Sequence, residues 1–325
     1  MPKVRPLLSL VVPLYNERSG LQEFHEALLD VVEEATKNSY EVLYCDDGST
    51  DNPAELVQKW HDDNPRIRLI RLSRNFGKEY ALSAGLAQAT GQAIMMIDGD
   101  GQHPVELIPE FVSAWERGFQ VVVGIRTDNS GEGLTKRLGS SIFNQTFKTL
   151  TGQNLLSGST DFRLIDRSVQ KAFLLLKEND RLTRGLIDWL GFERTHIHFV
   201  AKPRMHGSAG YSTRKLIKLA IDSLVSLTPR PLYLFGYLGI FIMSAAFLLG
   251  VTVIIEQLLF GDPLSWRFTG TAMLGILILF LVGIVLMSQA MLSLYIAHIQ
   301  SQTRQRPLYV IDYQKSVGIK NHVDD

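Results

Sequence analysis

Three short stretches concentrate the side chains able to do chemistry: Pro13-Leu14-Tyr15-Asn16-Glu17, Asp46-Asp47-Gly48-Ser49-Thr50-Asp51 and Asp98-Gly99-Asp100-Gly101-Gln102-His103. Each follows or closes an apolar run that reads as a strand, so their carboxylates converge on one rim. There they would repel one another unless a divalent cation and a bound ligand shared the site. Asp98 and Asp100 stand on either side of Gly99 with Gln102 just beyond, an oxygen set suited to Mg²⁺ or Mn²⁺, hard cations that bridge phosphates. The commoner use of such aspartates is to cap helices and form turns, and that reading stays open for any one of them. Arg74-Asn75-Phe76-Gly77-Lys78-Glu79 adds two cations and a glycine where a diphosphate would need partners. Neither a G-x-x-x-x-G-K-[ST] loop nor a G-x-G-x-x-G turn is present, which argues against the usual ATPase and dinucleotide sites. His103, in a His-Pro context at a helix start, reads as a cap or packing group rather than a ligand. His196 and His198 share one strand face, but no third soft ligand for zinc stands near them.

These loops need a scaffold that brings them together, and the apolar pattern supplies one. Leu7–Val12, Glu41–Cys45, Ile67–Leu72, Ala93–Ile97 and Gln120–Val123 read as strands, alternating with helix-like stretches at Leu21–Lys37, Pro53–His61, Lys78–Ala89 and Pro104–Arg117. That alternation predicts an α/β fold with a mostly parallel, Rossmann-like sheet covered on both faces, whose ligand lies beyond the carboxyl ends of the strands. A mixed annex follows: a helix near Leu134–Leu150, a strand at Asp161–Ile165, helices over Ser168–Leu190 and a strand at Thr195–Val200. The basic start at Met1–Arg5 does not open a signal peptide, because Pro13 and Asn16-Glu17-Arg18 end the apolar run too soon; it leads into a buried strand.

Charge divides the chain. Of 33 Lys and Arg, 28 fall within residues 1–231, matched there by 28 acids, so a nucleic-acid binder is disfavoured. Leu232–Ile255 and Phe268–Ala297 are uncharged runs of 24 and 30 residues. At ~1.5 Å per helical residue both exceed the ~30 Å hydrocarbon core of a bilayer and predict two transmembrane helices. Ser212–Leu227 places Lys215, Lys218, Asp222 and Ser226 opposite an apolar face, an amphipathic helix that either packs on the sheet or, with Arg214 beside Lys215 and a span just ahead, lies in the membrane interface; the interfacial reading is favoured. Basic residues before the first span and after the second put both termini and the large domain in the cytoplasm, in an integral protein of the plasma (inner) membrane. Gly236, Gly239, Ser244, Gly250, Gly275 and Gly283 permit helix association, and hence a homo-oligomer, without specifying one. The single cysteine, Cys45, excludes an intramolecular disulfide framework.

The stretches PLYNE, DDGSTD, LSRNFGKEYALSAGL, DGDGQHPVE, VVGIR and DFRLIDR, in that order, resemble family 2 glycosyltransferases of the GT-A fold. Within that family they are most similar to the polyprenyl-phosphate enzymes related to dolichyl-phosphate mannose synthase, and among those to the bactoprenol glucosyltransferase type. The resemblance implies a GT-A catalytic domain over residues 1–210, an amphipathic juxtamembrane helix over 211–231, two transmembrane helices within 232–300 and a cytoplasmic tail over 301–325. It implies a donor pocket of Pro13, Tyr15, Glu17, Asp46, Asp47, Lys78, Asp98, Gly99 and Arg204, with Lys202 assisting, and a metal held by Asp98, Asp100 and Gln102. Arg126, Arg137 and Ser141 match the residues that hold the acceptor phosphate, although Arg137 also reads as an exposed helix charge. Asp161 is the candidate for orienting or deprotonating the acceptor; a salt bridge to Arg163 or Arg167 is the alternative. Two departures stand out: Gly158 where relatives often carry aspartate, and Ala209-Gly210 where they carry Ser-Lys.

The implied reaction is inverting transfer of a hexose, glucose from UDP-glucose foremost, to polyprenyl phosphate, with Asp100, Asp161, Arg126 and Arg137 as its catalytic groups. GDP-mannose as donor and other membrane glycosyltransferases are the alternatives. A processive polysaccharide synthase would carry a Q-x-x-R-W motif and more spans, and a donor-binding sensor or transporter subunit would lack metal-dependent turnover.

Overall fold

The computed structural model describes residues 5–127, 158–178, 181–202, 270–303 and 306–319, with five isolated helical positions between 237 and 248. The chain forms two compact units, one of Met1–Ser140, Leu155–Gly210 and Arg306–Asp325, the other of Ser141–Asn154 and Tyr211–Gln305.

In the first unit, β1 (Leu8–Leu14), β2 (Tyr40–Asp46), β3 (Ile67–Arg71), β4 (Ala93–Met96), β5 (Val121–Arg126), β6 (Ser159–Asp166) and β7 (Arg194–Phe199) form one sheet in the order β3-β2-β1-β4-β6-β5-β7. Every residue of β1, β2 and β4 is buried. Such unbroken apolar runs, rather than alternation, are what a parallel sheet with both faces covered requires. Neighbours from β3 to β4 pair in parallel, as do β5 and β7, while β6 runs antiparallel to both β4 and β5. The fold is a GT-A-like α/β architecture with a mostly parallel, mixed sheet.

Helices α1 (Arg18–Thr36), α2 (Ala54–Asp63) and α4 (Ile108–Glu116) cover one face, with Phe24, Leu28, Val57 and Phe111 packed among Leu10, Val12 and Met95. Helices α3 (Lys78–Gln88), α5 (Arg167–Leu174) and α6 (Thr183–Trp189) cover the other, where Leu82, Leu86, Phe173 and Ile187 meet Val11, Leu43 and Met96. A short 3₁₀ turn, Val105–Leu107, leads into α4. At the amino-terminal ends of the strands the buried Glu41 accepts from Ser9 Oγ (2.5 Å) and from Thr90 N (2.6 Å), and pairs with Arg68, so its charge is fully engaged in holding three strands together.

Among the described residues of the second unit, α7 (Gly270–Thr303) is long and apolar enough to cross a membrane, with mean hydropathy 2.0 over Phe280–Ala297. Phe280, Leu286 and Ile299 lie exposed along it. Of the expected first span over 232–255 only Tyr237, Phe241, Ile242, Ser244 and Leu248 are described, each helical, while the amphipathic helix over 211–231 and the helix near Leu134–Leu150 fall outside the described residues.

Arg306–Ile319, within the expected tail, belongs to the first unit, bridging to β3 and its end through Leu69–Val317 and Leu72–Ile311. The physical reason is the sheet edge: β3 would otherwise expose a row of unpaired main-chain groups.

Candidate active site

Because β1 to β4 are parallel, the loops that follow them gather at one rim. Running against β4, β6 brings its beginning to the same place. Continuing the β4–β6 register beyond Met96–Arg163 sets Asp98 opposite Asp161.

The loops after β1 and β2 are stitched together. Asn16, in a left-handed conformation (φ 56°), receives Thr50 N–H at Oδ1 (2.9 Å) and donates its own N–H to Ser49 Oγ (3.0 Å). Asp51 accepts from Arg18 N (2.9 Å), capping α1 from a distant loop. Asp46, fully buried, accepts from Ser49 N (2.9 Å) and lies 3.4 Å from the Arg71 guanidinium. Asp47 accepts Phe76 N (2.7 Å) and Gly77 N (2.8 Å), one on each oxygen, and burial pushes its carboxyl above the usual range against those two bonds. Gly48 has φ +70° and packs directly on the next loop: a β-carbon there would come within 2.6 Å of Arg74 C. The acids of this stretch, expected to face a donor, also hold the loops in place. Pro13 is buried at the end of β1, while Tyr15 projects outward, 47% exposed.

A different arrangement surrounds the loop after β4. Lys78, first residue of α3, places Nζ 2.6 Å from Asp98 Oδ1 and 2.7 Å from Asp161 Oδ2. Burial opposes the ammonium charge, but the two carboxylates prevail and hold the Lys78 pKa above its ordinary value. Burial likewise opposes the Asp161 charge, and Lys78 prevails there too, holding that carboxyl below the usual range. The partner of Asp161 is therefore Lys78. The alternative pairing fails because Arg163 is turned to Asp188 (3.4 Å) and Arg167 donates to Gly91 O (3.0 Å). His103 is buried and stacked on Phe162 with ring centroids 5.0 Å apart; burial lowers its pKa, and its Nδ1 accepts from Asp98 N (3.2 Å). It packs and positions, as its His-Pro context suggested. Asp100 turns its loop by accepting Gln102 N at 3.1 Å. Gly99 lies against β1, where a β-carbon would come within 3.3 Å of Glu17 Oε2, so the first and fourth loops do meet.

Among the described residues no three His, Cys, Asp or Glu side chains form a cation cage. Asp98 and Asp100, both partly exposed on one loop with Gln102, fit instead a hard cation that takes most of its ligands from phosphate and water.

Arg126 ends β5 on the surface, and its N–H donates to Gly158 O (2.9 Å). Gly158 has φ +79°, and a β-carbon there would meet Arg126 O at 2.6 Å. Aspartate would be strained in this backbone conformation. Lys202 is tied to Glu106 (2.6 Å). Arg137, Ser141 and Arg204 fall outside the described residues.

One contributor escaped the sequence reading, and a second takes a role other than the one weighed for it. Glu79 accepts Thr183 N (2.8 Å) at the start of α6; burial, then the negative charge of Asp161, raises its pKa. Arg163, fully buried, donates to Ser159 Oγ (3.1 Å) and Thr160 O (3.2 Å), fixing the residues that lead into Asp161. Glu79 adjoins Lys78 in sequence, but its partner Thr183 lies 104 residues away.

Residues 9–174 match the family described as Glycosyl transferase family 2. Uncharacterized glycosyltransferase YkcC of Bacillus subtilis (strain 168) is 36% identical over 313 residues, 96% of this chain and 95% of that protein. The bactoprenol glucosyl transferase of Shigella phage SfV is 32% identical over 308 residues, 95% of this chain and 99% of that one. The prophage bactoprenol glucosyl transferase homolog of Escherichia coli (strain K12) is 32% identical over 304 residues, covering 94% and 98%.

Proposed function

The chain belongs to glycosyl transferase family 2, and from that membership we propose that it transfers a hexose from a nucleotide sugar, UDP-glucose foremost, to a polyprenyl phosphate at the cytoplasmic face of the inner membrane. End-to-end likeness to proteins named bactoprenol glucosyl transferase supports the acceptor class. The observation that carries the reading is the Lys78 bridge, in which one cation links Asp98 to Asp161 across two strands.

Tyr15 and Glu17 would border the donor side, with Gly99 packed close against Glu17. Asp98, Asp100 and Gln102 would hold Mg²⁺ or Mn²⁺, which when bound neutralises charge on the departing diphosphate. Lys78 stays protonated at neutral pH and offers a second positive charge next to that group. Asp161, with its lowered pKa, remains ionised and is a weak proton acceptor, so its part is to aim Lys78 rather than to act as a base. None is needed: a phosphate monoester, with a second pKa of about 6, is already largely anionic. Arg126, Arg137 and Ser141 would hold it in line, and a single displacement inverts the anomeric carbon.

Connectivity supports the membrane topology. The catalytic unit contains residues on both sides of the apolar unit, so a bilayer between them must be crossed an even number of times. With α7 as one span, the uncharged run over 232–255 is the natural second, leaving both termini on one side of the membrane. The test is a panel of UDP- and GDP-sugars with undecaprenyl phosphate, with and without Mg²⁺ or Mn²⁺, reading the lipid product by mass. A metal-dependent gain of one hexose on the lipid is expected. Sugar released only to water, or added to a growing glycan, would remove the proposal.

A further inference from the structure

The residues that follow α7 carry an unexpected role. Leu69 and Val317 exchange both main-chain hydrogen bonds (Leu69 N to Val317 O 3.0 Å, Val317 N to Leu69 O 2.9 Å). Asp312 N donates to Arg71 O (2.8 Å), Ser73 N to Val310 O (2.9 Å), and Arg71 N to Ser316 Oγ (3.0 Å). Ser316 Oγ in turn donates to Asp312 O (2.8 Å), closing the turn between the two contact points. The outward main-chain groups of β3 are thereby satisfied by a segment far along the chain. Side chains reinforce the contact: Val317 is buried in one core layer, and Tyr309 and Ile311 pack with Phe76 on the other.

The pinned strand runs straight into the wall of the proposed donor site. Arg71 donates to Ser49 O (2.9 Å) and approaches Asp46, and five residues later Phe76 and Gly77 supply the N–H groups that hold Asp47. We propose that Arg306–Ile319 is a positioning element for the nucleotide-sugar pocket, clamping β3 and the loop after it. A nucleoside diphosphate then meets a preformed wall rather than one it must order at a cost in affinity. The inference rests on the glycosyltransferase reading given above.

The test uses the full-length enzyme in detergent. Val317→Pro removes the N–H that reaches Leu69 O; Ser316→Ala removes the acceptor for Arg71 N and perturbs the fold less; Val317→Ile keeps the pairing. Binding of UDP and GDP with Mn²⁺ is measured by calorimetry, and kcat and KM for the donor in the transfer assay. For Val317→Pro we expect nucleotide Kd and donor KM to rise about tenfold with kcat at saturation within about threefold, a smaller rise for Ser316→Ala, and no change for Val317→Ile. Unchanged Kd and KM in Val317→Pro, or in Ser316→Ala should the first variant not fold, would overturn the inference. So would a fall in kcat at constant KM. Failure of the unmodified enzyme to bind either nucleotide would instead bring down the glycosyltransferase reading and this inference together.

Discussion

In the loop after β2, Asp47 receives two main-chain N–H groups and is 3% exposed; in the loop after β4, Asp98 faces the Lys78 ammonium with 26% of its side chain accessible. Both aspartates follow a buried parallel strand, and both precede a glycine. What separates them is the neighbouring loop. Beside Asp47 the chain turns and points main-chain donors inward. Beside Asp98 the nearest donor is a side chain, the Lys78 ammonium. A carboxylate surrounded by fixed donors is scaffold, whereas one whose partner is a mobile cation can exchange it for substrate or metal.

The comparison breaks most readily at Asp98 and Asp100. Changing either to alanine is expected to cut transfer about a thousandfold, or roughly 4 kcal/mol, while leaving the thermal melt nearly unchanged. Radiolabelled donor and polyprenyl phosphate supply the assay, and near-normal turnover in a folded variant would return these aspartates to the scaffold class. Asp47→Ala should do the reverse. Loss of two charge-assisted hydrogen bonds predicts destabilisation of about 3 kcal/mol in denaturant or heat, with donor KM raised but kcat at saturating donor largely retained. A stable Asp47→Ala protein devoid of transfer would place Asp47 in the chemistry instead.

A smaller effect comes from a titratable group with no part in the site. His25 is buried, stacked on Trp60 at 3.7 Å and bonded to Tyr44 Oη at 2.8 Å; burial lowers its pKa to about 4. The unfolded chain takes up this proton near pH ~6.5 and the folded chain does not until far lower, so stability is full above ~6.5 and falls as the pH drops below it. About 2 kcal/mol should be lost by pH ~5 from this group, and His25→Phe should flatten the dependence. An equally steep slope in the variant would assign it elsewhere.

Least of all should change at the Lys78 bridge near neutrality. The Lys78 pKa is raised, so its contribution persists below ~10.4 and is lost only as pH climbs through the raised value. The Asp161 pKa is lowered, so its contribution persists above ~3.9 and is lost as pH falls through the lowered value. The rate of transfer between pH ~6 and ~9 should then be the same shape in wild type and Asp161→Asn, at a lower level in the variant. A limb that disappears with Asp161 would identify it as a base.

Much of this architecture was legible beforehand. The described strands and helices lie where apolar runs and their punctuation put them, because continuous burial in a parallel sheet leaves a strong local signature. His103 was legible as a packing residue from its proline neighbour. Less legible was the distinction among acids, since capping, ion pairing and metal binding all recruit the same residue type. Nor was the role of the tail legible: Leu308-Tyr309-Val310-Ile311 is an apolar run, but nothing local to it says that the edge of β3 awaits it.

What the sequence determined by itself is therefore the set of strands, the rim to which their loops must come, the family, and the uncharged runs long enough for a bilayer. These follow from local periodicity and ordered motifs, which need no knowledge of distant contacts. The tertiary structure alone decided which acids are tied by main-chain donors and which face a lysine. It also decided which cation bridges the rim and what covers the sheet edge. Each of those choices joins groups far apart in the chain: 29 and 30 residues for Asp47 with Phe76 and Gly77, 83 for Lys78 with Asp161, and 245 for Arg71 with Ser316. A carboxylate's role is set by the donors that folding brings to it.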